Sequence, residues 1–300
     1  MSDDILFESK NYFYLGNYQS TINEINKKSR QIIEKSLKAE SDYFLYRCYI
    51  AQGNYDLVLQ ETKNNRGSGE DPTIAGLQLL ASYLSKPDEN REGTLITITQ
   101  WISDGVVKFN YHLQVIIATI YFNEQLYDEA LQILNNCDHI EGLSMLIQIF
   151  LKIDRLDLAQ KAYDTMKKII DPDATPALLS LAWINIYNGE EKLKSALSSF
   201  EEMAERYGPT PLLLNGQAVC AIGMKRFEKA ESLLLESIEK NPKNSDTLAN
   251  LINCYINMKK PNEIIQRFIN QLKTLSPKHD WTSAVNEAEA LFEVSKSRFN

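Results

Sequence analysis

The sequence predicts an all-α protein, a right-handed superhelical solenoid of helix pairs ended by a C-terminal capping helix. Three observations carry that prediction. The first is punctuation. Only 12 Gly and 9 Pro occur among 300 residues, so few of the tight turns and bends used by sheets are available. The second is an internal period. Ala196, Ala230 and Ile264 stand 34 residues apart, and so do the sets Phe200, Leu234, Phe268; Tyr187, Ala221, Tyr255; and Ser180, Leu214, Leu248. The third is the spacing within one period. Leu214, Ala218 and Ala221 share a face of a first helix, and Ala230, Leu234 and Ser237 share a face of a second, because residues three and four apart are neighbours on a helix.

A 34-residue step is that of the tetratricopeptide unit, a helix–turn–helix. Taken in order along the chain, Gly16-Asn17-Tyr18 and Gly53-Asn54-Tyr55 read as identical turns between paired helices. A helix is expected from Asp71, a good N-cap, to Ser85. Another covers about Arg91–Asp104, although its Thr94-Leu-Ile-Thr-Ile-Thr run suits a strand equally. Loops are expected at Asn64–Glu70, Lys86–Arg91 and Gly105–Asn110. Tyr127-Asp128-Glu129-Ala130 and Leu156-Asp157-Leu158-Ala159 each read as the start of a second helix. Small residues at Ala218 and Ala230 let paired helices approach closely, and Pro242 ends the second helix. Trp281, Val285, Ala288, Leu291 and Phe292 form one apolar stripe, the expected cap on the open end of the array. The predicted domain plan is a helical array over 1–275, about eight helix pairs, with the capping helix over 276–300 in the same domain.

Composition narrows the function. Hydrophobic residues at 44% supply a core and exclude bulk disorder. Net charge is −8, with 12 basic and 20 acidic residues up to Phe150 and 20 of each after it, so no nucleic-acid partner and no direct membrane patch are expected. The apolar run Leu113–Phe122 is about half the length a bilayer span requires. The acidic Met-Ser-Asp-Asp start lacks a secretory pattern and no Asn-x-Ser/Thr site occurs, both pointing to the cytosol. Cys48, Cys220 and Cys254 share the tenth position of their repeats, held elsewhere by Ile120, Ile149 and Ile186, and Cys137 shares the slot of Ser237. All four are expected as buried structural thiols. No phosphate loop, zinc helix or nucleophile elbow is found, Gly67-Ser68-Gly69 reads as a plain loop, and His112, His139 and His279 are scattered. No enzyme activity, cofactor or metal is expected.

A binding face is expected instead. First helices line the concave side of such arrays. The register puts Leu6, Phe13 and Tyr14 there in the first unit, then Tyr43 and Ile50, Val115 and Phe122, Leu178 and Leu181, and Leu212, Val219 and Ile222. Some of these pack between neighbouring repeats. As a set they are too apolar for a wet groove, which points to a stable protein partner. A carboxylate clamp for acidic peptide tails needs Lys and Asn one turn apart on the inner face. The corresponding pairs, including Leu6/Lys10, Tyr43/Arg47 and Leu181/Asn185, do not supply it.

Phe13-Tyr-Leu-Gly-Asn-Tyr-Gln19, Leu151-Lys-Ile-Asp-Arg-Leu-Asp-Leu-Ala159, Gly189-Glu-Glu-Lys-Leu193 and Leu212-Leu-Leu-Asn-Gly-Gln-Ala218 together resemble the coatomer epsilon subunit family, along essentially the whole chain. The Gly189–Leu193 element accounts for a three-residue slip of register between Ala159 and Ala196. The resemblance implies a subunit of the COPI vesicle coat, serving Golgi-to-endoplasmic-reticulum and intra-Golgi transport. It implies the C-terminal domain of the alpha subunit as direct partner, held within the repeat superhelix, with membrane contact only indirect through the coat. The competing reading is another scaffold that takes helical peptides in the same groove.

Overall fold

The computed structural model describes residues 4–64, 71–135 and 137–297. Among them are seventeen α-helices and no strand. They fall into two compact units, residues 1–187 and 188–300.

Unit 1 holds α1 (Phe7–Tyr14), α2 (Tyr18–Lys28), α3 (Lys35–Ala51), α4 (Tyr55–Asn64), α5 (Pro72–Ser85), α6 (Pro87–Ser103), α7 (Tyr111–Asn123), α8 (Tyr127–Leu134), α9 (Ile140–Lys152), α10 (Leu156–Ile169) and α11 (Thr175–Tyr187). The first ten pair as antiparallel neighbours, each first helix packing on its second and on the first helix of the next pair. The series α1, α3, α5, α7, α9, α11 then returns on itself, because α11 also touches α1. At that seam the Thr175 hydroxyl donates to Asn11 Oδ1 at 2.8 Å, and both residues are buried.

Unit 2 holds α12 (Glu190–Tyr207), α13 (Pro211–Gly223), α14 (Phe227–Lys240), α15 (Ser245–Asn257), α16 (Asn262–Leu275) and α17 (Asp280–Lys296). The repeat positions read from the sequence are its core. Ala196, Phe200, Leu214, Ala221, Ala230, Leu234 and Leu248 are essentially fully buried. Ile264, third in the alanine series, stays 40% exposed, since α16 turns Phe268 and Leu272 inward instead. Close approach of α12 and α13 requires Gly216, where a Cβ would lie 2.6 Å from the Phe200 ring.

Local chemistry explains the boundaries. Asp71, Asn110, Thr210 and Asn244 each accept a backbone N–H in the first turn of α5, α7, α13 and α15, satisfying donors that the helix cannot. α14 stops at Lys240, ahead of Pro242. Turns inside the pairs put one residue in the left-handed region: Gly16 (φ 76°) and Gly53 (φ 78°), but also Gln125, Asp154, Lys225 and Lys259.

One expectation changes, and one open alternative resolves in favour of the expected helix. The loop expected at Lys86–Arg91 is the start of α6, since Pro87 suits a first helical position and Asp88 and Glu89 complement the helix dipole. The Thr94–Thr99 run is helical. Thr97 and Thr99 donate their hydroxyls to the carbonyls of Gly93 and Leu95, while Thr94 and Ile98 are buried. The loops at Gly67–Gly69 and most of Asn64–Glu70 lie outside the described residues, as does the Met1–Asp3 start. All four cysteines are free and buried, and burial pushes the Cys48 and Cys220 thiols up to about 12.

Candidate protein-binding face

The twelve inner-face residues occupy two environments. Leu6, Tyr43, Ile50 and Val115 are buried in the packing of unit 1, none more than 7% exposed. They have no surface to offer as the chain stands, so the accessible face is narrower than the register implies. The other eight are half-buried: Phe13, Tyr14, Phe122, Leu178 and Leu181 in unit 1, and Leu212, Val219 and Ile222 in unit 2.

Their settings follow from which helix carries them. Phe13 near the end of α1 packs edge-on against Phe44 of α3 at 5.2 Å. Phe122, in the last turn of α7, meets Tyr127 of α8 edge-on at 5.6 Å. Leu181 on α11 packs against the buried cluster that α9, α10 and α11 share. Ile222 packs on the core of α13 to α16.

Sequence reasoning missed a charged cluster inside unit 1. Glu141, in the first turn of α9, has a side chain only 5% exposed. Its Oε2 accepts from Arg47 of α3 and from the Tyr43 hydroxyl at 3.1 Å, and its Oε1 accepts from the Tyr14 hydroxyl at 3.1 Å. The Arg47 guanidinium also lies over the Phe13 ring, 4.5 Å from its centroid. His112 sits against Tyr43 at 3.8 Å, and His139 stacks on Tyr111 at 3.9 Å. Two of the three histidines read as scattered therefore stand 6.3 Å apart. No group of three or more potential metal ligands occurs among the described residues.

Electrostatics ties the cluster together. Burial alone would raise the Glu141 carboxyl, but the Arg47 guanidinium overrides it and holds the group below the usual carboxylate range. Burial would lower Arg47, and the Glu141 carboxylate reverses that. Burial raises the Tyr14 and Tyr43 phenols well above 10 and lowers His112 to about 4, so phenols and imidazole are neutral at pH 7. Charge on this inner surface is thus cancelled within the chain. Of the two cations at the clamp positions, Arg47 already holds Glu141 and Lys10 pairs with Asp4 at 2.9 Å and Glu40 at 2.8 Å, so both are engaged within the chain. A signal was available: an acid opening the otherwise apolar run Ile140–Phe150 has to find a partner.

What this geometry can do is present neutral, partly covered apolar and aromatic side chains to another polypeptide. The whole sequence from residue 2 to 300 matches the family described as Coatomer epsilon subunit. The chain belongs to that family. It is 37% identical to coatomer subunit epsilon-1 of Arabidopsis thaliana over 298 residues, covering 99% of this chain and 97% of that one. It is 32% identical to coatomer subunit epsilon of Caenorhabditis elegans over 291 residues, covering 97% of each. Among solved structures, a tetratricopeptide repeat protein from Parabacteroides merdae aligns over 94% of this chain and 96% of its own length, with TM-score 0.52 and 12% identity. The APC/C Cut9–Hcn1 structure aligns over 95% of this chain and 55% of that one, with TM-score 0.63 and 11% identity. At such identities these two structures speak for the tetratricopeptide fold alone. The chain is a subunit of a heteromeric vesicle coat built on that fold.

Proposed function

We propose that this chain is a non-enzymatic architectural subunit that binds and steadies the C-terminal domain of the coat's alpha subunit through the inner face of its first helices. Its setting is the cytosolic face of Golgi membranes and COPI vesicles, in Golgi-to-endoplasmic-reticulum and intra-Golgi transport, and it reaches the membrane only through the coat. The observation that carries the reading is the half-covered state of Phe13, Phe122, Leu178, Leu181, Leu212, Val219 and Ile222, with Arg47 and Glu141 neutralising each other beside Phe13. Burying such side chains gains about 25 cal/mol per Å². Seven of them, added to their neighbours, fit a stable partner better than a passing one. Gentle extraction followed by sizing is the test. The expected result is elution in a large complex with a WD-repeat protein; a monomeric pool would contradict it.

A further inference from the structure

The apolar stripe of α17 is not absorbed by the fold. Its root is fixed. His279 Nε2 lies 3.1 Å from Asp246 Oδ1 on α15, His279 Nδ1 accepts the Trp281 N–H at 3.2 Å, and Trp281 packs on the core of unit 2. Beyond Thr282, which is buried, cover is lost: Val285 is half-buried, Ala288 exposed, and Leu291 and Phe292 are 68% and 67% exposed. The helix expected to cap unit 2 does so only with its first turns.

At 100° per residue, Trp281, Val285, Ala288 and Phe292 lie within an arc of about 60°, with Leu291 beside it. Glu289 and Glu293 run along one edge, and Glu287 lies beyond Leu291 on the other. Lys296 lies on the Glu289 side, 3.5 Å from Glu293, and among the described residues Glu287 and Glu289 make no ion pair. A pinned helix with a bare apolar stripe between acidic edges is a knob for a groove. The edges select the occupant. A second copy would bring acid against acid, and an anionic lipid surface would repel the same carboxylates. We propose that the outer turns of α17 dock into an apolar cleft rimmed by Lys and Arg on another subunit of the coat. The assignment rests on membership of the coat and is independent of the inner-face reading.

The test uses the full chain co-expressed with the remaining coat subunits. Leu291→Glu with Phe292→Glu, and separately Glu289→Lys with Glu293→Lys, are compared with the parent by dissociation rate from the assembled coat. Neither pair touches the core, and an unchanged melting midpoint verifies it. A photo-crosslinking residue in place of Phe292 identifies the neighbour. The expected result is dissociation about tenfold faster for both pairs, with a cross-link to a Lys- or Arg-rimmed cleft on another coat subunit. A cross-link to a second copy of this chain or to lipid overturns the proposal, and so does unchanged dissociation of both pairs. If the parent chain does not enter the coat at all, the coat assignment fails rather than the role of α17.

Discussion

Residues 4–187 and 188–297 handle polar groups inside stacked first helices with different chemistry. In unit 1 the interior holds a charged pair, Arg47 and Glu141, bridged by the Tyr43 hydroxyl, while the Tyr14 hydroxyl donates to Glu141 alone, so that α9 is tied to α1 and α3 far from it in sequence. In unit 2 it holds neutral groups. Asn215 Nδ2 donates to the Thr247 hydroxyl at 2.7 Å, Ser237 and Thr247 share a bond of 2.9 Å, and Asn250 donates to Asn215 Oδ1 at 2.9 Å. A buried ion pair adds little net stability while intact but is severe to break, because the survivor is left charged and dry. Neutral amides and hydroxyls fail more gently. Unit 1 is therefore committed to its closed series of first helices, and unit 2 is the more forgiving half.

The largest expected effect tests that contrast. Glu141→Leu strands Arg47 and should cost about 3–5 kcal/mol, read as a lowered denaturation midpoint with exchange protection lost in α1, α3 and α9. Adding Arg47→Met should restore most of it. Asn250→Ala in unit 2 should cost only about 1 kcal/mol. Equal losses would erase the distinction.

Next in size is Ala230→Leu, which forces three extra carbons between fully packed helices and should cost about 1–3 kcal/mol. An unchanged midpoint would mean that the 34-residue register is not what packs unit 2.

Smaller, and opposite in sign, is Lys225→Gly. Lys225 sits at φ 60° in the turn between α13 and α14, where Gly16 and Gly53 stand in unit 1. Relief of the left-handed conformation should stabilise by about 1 kcal/mol, partly offset by greater freedom of the unfolded chain. A lower midpoint would show that the lysine side chain, not the backbone, sets that turn.

The mildest test is pH. His112 is held at about 4 by burial, below its ordinary 6.5. As pH falls, the unfolded chain takes up that proton first, so stability is full above about 6.5 and drains towards 4. The Glu141 carboxylate, depressed below 4.5, adds its own loss only at lower pH, once the unfolded chain's carboxyl begins to protonate. Burial lowers His139 as well, so His112→Gln should make the decline between pH 6.5 and 5 shallower and His112→Gln with His139→Gln should flatten it. A slope undiminished in the double substitution would move the titrating groups elsewhere.

What the sequence revealed was what repeats. Ala196 and Ala230, Phe200 and Leu234, and the four cysteines recur in step and are buried as the periodicity implies, whereas Ile186 in the cysteine slot is only half-buried. The cluster around Glu141 does not recur. Arg47 and Glu141 are 94 residues apart, and only the return of α11 to α1 brings such distant first helices together. The turns at Gln125, Asp154, Lys225 and Lys259 were hidden because their left-handed backbone carries no glycine to announce it. The stripe on α17 was visible, but its exposure was not, since an apolar face looks the same whether the chain or a partner covers it.

The central claim is that the half-covered apolar residues of the first helices bind the alpha subunit's C-terminal domain. Calorimetric titration of that purified domain into the full chain tests it most directly, with Phe122→Asp and Leu181→Asp beside the parent and melting curves for each. The account predicts affinity reduced by about tenfold or more for both variants, roughly 1.4 kcal/mol each, with midpoints that fall by less than the binding does. Parent-like affinity in both variants with the fold intact would contradict it and move the interface off this face.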